Sequence, residues 1–160
     1  MGKARTRARE PPAIREDVRA MPPRVSDVMT AAPLSLPLDA TLYEAARVMR
    51  DEGIGDVLVT YAGRLCGVVT DRDIVVRAVA ESRDTSLTPL GDVCTAELTT
   101  VHPDDDTGTV ARLMCEQAVR RLPVVDAEQR PVGIVSIGDL AVANGEAGPL
   151  SEISKAPPNN

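Results

Sequence analysis

Apolar positions along this chain follow two periods in alternation. From Thr41 to Glu52, the residues Leu42, Ala45, Ala46 and Met49 recur at helical spacing and Gly53 follows as a stop, which predicts a helix over 41–52. Two β-branched runs come next, 57–60 and 65–70, separated by Tyr61-Ala62-Gly63-Arg64 in the manner of a hairpin. The helical period resumes over 71–81 through Ile74, Val75, Ala78 and Val79. The same succession then returns, with a helix over 106–118, strands over 122–125 and 132–135, and a helix over 137–143.

The second succession is a copy of the first. Val25-Ser26-Asp27-Val28-Met29-Thr30 matches Leu90-Gly91-Asp92-Val93-Cys94-Thr95, an offset of 65 that also carries Ala46-Arg47-Val48-Met49 onto Ala111-Arg112-Leu113-Met114. After one extra residue in the following turn, Gly67-Val68-Val69-Thr70 falls on Gly133-Ile134-Val135-Ser136, and Asp73 falls on Asp139. One such unit has an apolar sheet face too small to stand alone, so the two copies are expected to pack sheet to sheet as one folding body. The organisation predicted is a basic tail over 1–24, repeats over 25–85 and 86–144, and a loosely ordered tail over 145–160.

At 160 residues with 43% hydrophobic content, the chain has room for a core but not for a separate large catalytic domain. No apolar run is long enough to span a membrane, and the arginine-rich opening lacks the apolar stretch of a secretory signal, so the cytoplasm is expected. Cys66, Cys94 and Cys115 stand far apart, without a Cys-x-x-Cys pair, and read as reduced and mostly buried. A net charge of −6, no Trp or Phe, and only Tyr43 and Tyr61 argue against nucleic acid as partner. Positive charge gathers in Lys3, Arg5, Arg7, Arg9, Arg15, Arg19 and Arg24, a solvated tail.

Four strings carry a resemblance: Val25 to Thr30, Gly67-Val68-Val69-Thr70-Asp71-Arg72-Asp73, Arg120-Arg121-Leu122-Pro123-Val124-Val125-Asp126, and Gly133-Ile134-Val135-Ser136-Ile137-Gly138-Asp139. In their duplicated order they resemble the CBS domain pair, or Bateman module, over residues 25–144. The stand-alone form is similar to the small actinobacterial stress and hypoxic-response members. The resemblance implies an α+β fold of two βαββα repeats with pseudo-two-fold symmetry. It further implies a regulatory module whose cleft binds AMP, ADP, ATP, S-adenosylmethionine or a related adenosyl ligand, usually within a homodimer.

Thr70 with Asp73, and Ser136 with Asp139, are the sharpest candidate site residues. Each pair stands where a strand ends and a helix begins, and amide N–H groups at a helix start favour an anion. The family pattern assigns the ribose hydroxyls to the residues matching Asp73 and Asp139. A hydroxyl followed three residues later by an acid is equally the pattern of a capping box, and the two roles are compatible. Arg120 and Arg121 stand where some relatives present basic residues to phosphates. The first repeat has Gly55 and Asp56 there, and Asp56 would repel a phosphate. Ile54 and Val119 could flank an adenine or pack in the core.

No enzyme is expected. His102 is the single histidine, and Asp104-Asp105-Asp106 beside it reads as a helix start before it reads as a metal site. No cofactor is required on this reading, and neither metal nor membrane enters it. Two functions remain open: a sensor of an adenosyl small molecule, and a ligand-free dimerising scaffold or partner-binding stress protein. An effector protein could read either state. Apolar stripes on more than one side of the helices predict a homodimer.

Overall fold

The computed structural model describes residues 22–143; the predicted tails, apart from 22–24, lie outside them. Thr41 begins the first repeat's leading helix, α2 (Leu42–Glu52), by a reciprocal cap. Its hydroxyl accepts the Glu44 N–H at 3.2 Å while Glu44 accepts the Thr41 N–H at 2.7 Å. Gly53 ends the helix in the left-handed conformation. Strands β3 (Asp56–Tyr61) and β4 (Arg64–Thr70) follow as an antiparallel hairpin, whose turn residues Ala62 and Gly63 both have positive φ. Strand β2 (Ser35–Pro37) joins β3 in parallel to give the sheet β2-β3-β4. In the second repeat, α4 (Thr107–Gln117) starts from an Asp106 cap, and β5 (Arg121–Val125) pairs with β6 (Pro131–Ser136). Strand β1 (Thr30–Ala31) completes the sheet β1-β6-β5.

Strand β1 comes from the start of the chain, and it is part of an exchange. The short helix α1 (Val25–Val28) is bound to the second repeat, by Val25 N–H to the Asp105 carbonyl at 3.0 Å and Ser26 N–H to the Pro103 carbonyl at 2.9 Å. The equivalent turn, Leu90–Asp92, is bound to the first repeat through the same pair of bonds, Leu90 to Ala40 at 2.8 Å and Gly91 to Leu38 at 3.0 Å. Val25 therefore belongs to the core of Val101, Val110, Met114, Leu122, Val124, Val135 and Leu140. Leu90 and Val93 belong to that of Leu42, Ala45, Met49, Val57, Val59 and Val69.

Alternation along the strands supplies a third apolar layer. Val57 and Val59 face the first core, and Leu122 and Val124 the second. Leu58, Pro123 and Val125 are buried but belong to neither; they are the opposite faces of β3 and β5, where the sheets pack together. The Leu65 N–H, bonded to the Gln129 carbonyl at 2.9 Å, joins β4 to the turn between β5 and β6.

The helix predicted over 71–81 takes a different form. An α-helical turn, α3 (Asp71–Ile74), passes into a π-helical turn, Val75–Val79, and its counterpart α5 (Ile137–Ala143) closes the described chain. Ile74 and Ala78 pack inward, whereas Val75, Val76 and Val79 are at least half exposed. The sheet covers one narrow stripe, so of these four apolar positions Ile74 and Ala78 pack inward and Val75 and Val79 face outward. The cysteines also depart from expectation: Cys66 and Cys94 are half-buried and Cys115 is exposed. Burial holds the Cys66 and Cys94 thiols above their ordinary pKa.

Candidate functional site

Thr70 ends β4 directly opposite Asp56, the first residue of β3, and Ser136 ends β6 directly opposite Arg121, the first residue of β5. Asp56 and Arg121 are the same position in the two repeats, and their side chains form an ion pair. The pseudo-two-fold axis passes between them. The candidate pairs Thr70/Asp73 and Ser136/Asp139 are thereby brought to one end of the molecule, one on either side of that ion pair.

Both pairs are complete capping boxes. Asp73 Oδ2 accepts the Thr70 N–H at 3.0 Å and its hydroxyl at 2.7 Å, and the Thr70 hydroxyl accepts the Asp73 N–H at 3.1 Å. Asp139 Oδ2 accepts from Ser136 N–H and hydroxyl, both at 2.7 Å, and Ser136 Oγ accepts the Asp139 N–H at 3.2 Å. The carboxylates differ in their second oxygen. Arg77, one turn on, brings its Nε to 3.4 Å from Asp73 Oδ1. The Asp139 counterpart has no partner among the described residues, because the position equivalent to Arg77 is Ala143.

The remaining candidates occupy the same end. Ile54 and Val119 follow the turns that close α2 and α4, held by the Met49 and Met114 carbonyls at 3.0 and 3.1 Å. Both stay over a third exposed, at 37% and 36%, so neither is consumed by the core. The Arg120 carbonyl accepts the Ile137 N–H at 3.0 Å, matching the Asp71 N–H to the Gly55 carbonyl at 3.0 Å, and the Arg120 side chain is exposed. Arg121 is 59% exposed while Asp56 is 16% exposed, so the carboxylate lies inside and the guanidinium covers it.

Two participants escaped the sequence reading. Arg77 also donates to the Val93 carbonyl at 2.7 Å and to Thr95 Oγ1 at 3.2 Å, joining Asp73 to the segment that enters the second repeat. Its place four residues after Asp73 was the available signal. Asp71 lies beside Gly55, its Oδ2 3.5 Å from where a Cβ would stand. The acidic run after His102 acts in local structure: Asp105 accepts the His102 N–H at 2.7 Å, Asp106 caps α4, and Asp104 pairs with Arg24. Two open depressions, of about 540 and 580 Å³, are lined by none of the candidate residues.

This arrangement, two repeats joined by exchanged leading segments with matching hydroxyl–carboxylate pairs about a shared axis, has a counterpart among known proteins. Residues 25–79 and 90–145 each match the family model of the CBS domain. The chain belongs to the CBS domain family. It is similar to the CBS domain-containing protein YhcV of Bacillus subtilis, with 39% identity over 118 residues, 74% of this chain and 83% of that protein. It is also similar to hypoxic response protein 1 of Mycobacterium tuberculosis, 34% identical over 116 residues, 72% of this chain and 80% of that one. Among solved structures, it resembles the CBS domain pair of protein MJ0100 in complex with 5′-methylthioadenosine and S-adenosylmethionine. That likeness has a TM-score of 0.69 at 26% identity and covers 79% of this chain and 99% of the other. No described helix of this CBS pair is long and apolar enough to cross a membrane.

Proposed function

We propose that this CBS pair is a regulatory sensor, active as a homodimer, that binds an adenosyl compound between its repeats. AMP, ADP, ATP and S-adenosylmethionine are the compounds to be tried. The observation that carries this reading is the convergence of Thr70/Asp73 and Ser136/Asp139 on one end of the molecule around the Asp56–Arg121 pair. The adenosyl ligands of the MJ0100 pair support it. Asp139 and Asp73 would accept ribose hydroxyls, Ser136 and Thr70 holding each carboxylate in place through its other oxygen. Ile54 and Val119 would flank the adenine, and Arg120 and Arg121 stand toward the ligand's 5′ end. The chain performs no catalysis on this reading; binding changes what an effector protein meets.

Calorimetric titration of Asp139→Ala separates ligand contact from capping. Loss of the cap lowers ligand-free stability by about 0.5–2 kcal/mol on either account. Loss of a charge-assisted bond to ribose weakens binding by about 1.5–3 kcal/mol, roughly tenfold to over a hundredfold. Asp73→Ala should weaken it less, because Arg77 already engages Asp73 Oδ1. Unchanged affinity in Asp139→Ala with lowered stability would overturn the assignment.

A further inference from the structure

We infer that the ligand of this pair is an adenosyl compound without a 5′-phosphate, a nucleoside or a sulfonium. The inference rests on the reading that an adenosyl compound binds at this end and concerns which class the end selects.

A phosphate is held by guanidinium groups and by amide N–H groups without other partners. Here the chain's own acceptors already take the Arg121 and Arg77 guanidinium groups and most of these amides, while the Arg72 and Arg120 side chains have no such partner among the described residues. Arg121 is paired with Asp56. Arg77 is shared among Asp73, the Val93 carbonyl and Thr95. The first three amides of α3 are all engaged: Asp71 to the Gly55 carbonyl at 3.0 Å, Arg72 to Asp71 Oδ1 at 2.6 Å, and Asp73 to Thr70 Oγ1 at 3.1 Å. In the other repeat the Ile137 and Asp139 amides are taken by the Arg120 carbonyl and Ser136 Oγ. Asp56, Asp71, Asp73 and Asp139 stand against Arg72, Arg77, Arg120 and Arg121, so this end offers a dianion no net positive charge.

A phosphate that drew Arg121 to itself would leave Asp56, with 16% of its side chain exposed, unpaired beside a second anion. A thioether, hydroxyl or sulfonium at the 5′ position asks nothing of Arg121 and leaves the ion pair standing. Asp56 is thus a specificity-determining residue: it occupies, within the chain, the place on Arg121 that a phosphate would need.

The test is calorimetric titration of the full chain with adenosine, S-adenosylmethionine, AMP, ADP and ATP. Adenosine and S-adenosylmethionine are expected to bind about tenfold or more tighter than AMP, a difference of one lost charge pairing. Asp56→Asn, which frees Arg121, should raise AMP affinity by about tenfold and move adenosine less than about twofold. Adding Arg121→Gln to Asp56→Asn should abolish that gain. AMP binding as tightly as adenosine to the unaltered protein, or no gain for AMP in Asp56→Asn, overturns this inference and leaves the adenosyl reading standing. The ranking in the unaltered protein decides even if Asp56→Asn does not fold. Binding of ADP or ATP alone overturns this inference, and absence of binding by all five compounds overturns both.

Discussion

Gly67 and Gly133 stand where a segment of the other repeat approaches the strand closely. A Cβ on Gly133 would lie 2.5 Å from Met29 Sδ and 3.1 Å from the Thr30 carbonyl; one on Gly67 would lie 2.8 Å from Cys94 Sγ and 3.2 Å from the Thr95 carbonyl. Met29 could swing aside, but the Thr30 carbonyl is fixed by the pairing of β1 with β6. Gly133→Ala is therefore expected to lower unfolding free energy by about 1–3 kcal/mol, the usual cost of overpacking. Urea titration followed by circular dichroism reads it, and an unchanged midpoint would show that β1 gives way freely. The sequence marks these glycines as places of close approach; what approaches is a partner from the other repeat. Likewise Asp56 and Arg121 are visible in sequence as departures between the copies, and only the fold makes them meet.

Among the elements, the leading segments carry the unexpected energetics. Val25 is fully buried, yet its core neighbours begin at Val101. Val25→Ala is expected to cost about 1–3 kcal/mol through the cavity it leaves, and the loss should fall on the second repeat. Amide hydrogen exchange locates it: β5 and β6 should lose more protection than β3 and β4. Greater loss in β3 and β4 would contradict the exchange of segments. Helices and hairpins were legible because caps and turns are local: Thr41 with Glu44, Gly53, and Ala62-Gly63 lie within a few residues of what they fix. The π-helical turn at Val75–Val79 was not legible, since apolar periodicity does not record which side of a helix the sheet will cover.

For the whole molecule, the uncovered side of that helix matters most. Val75, Val76 and Val79 are 57%, 50% and 58% exposed, and on the equivalent helix Ile137 and Val142 are 40% and 42% exposed. These helices offer apolar surface that a second copy would bury, the proposed homodimer. Light scattering at micromolar concentration should give twice the chain mass, and Val76→Glu should shift it toward the monomer by placing a charge in the contact. A monomeric mass for the unaltered chain would dismiss the dimer.

The sequence by itself determined the repeat, the order and type of most elements, and the residue types at the candidate site, because periodicity, caps and turn residues act over short stretches. Tertiary structure decided which segments share a core, since exchange of α1 with its counterpart depends on contacts between residues fifty to eighty positions apart. It also decided the state of the site. Thr70 and Asp73 are three residues apart in any fold, but Asp56 meets Arg121 only after two sheets have packed face to face, and Arg77 reaches Val93 and Thr95 only because that segment lies on the first repeat. Charge balance at that end is therefore a property of the packed pair: the Arg77–Asp73 pairing is local, but the partner of Arg121 comes from the other sheet.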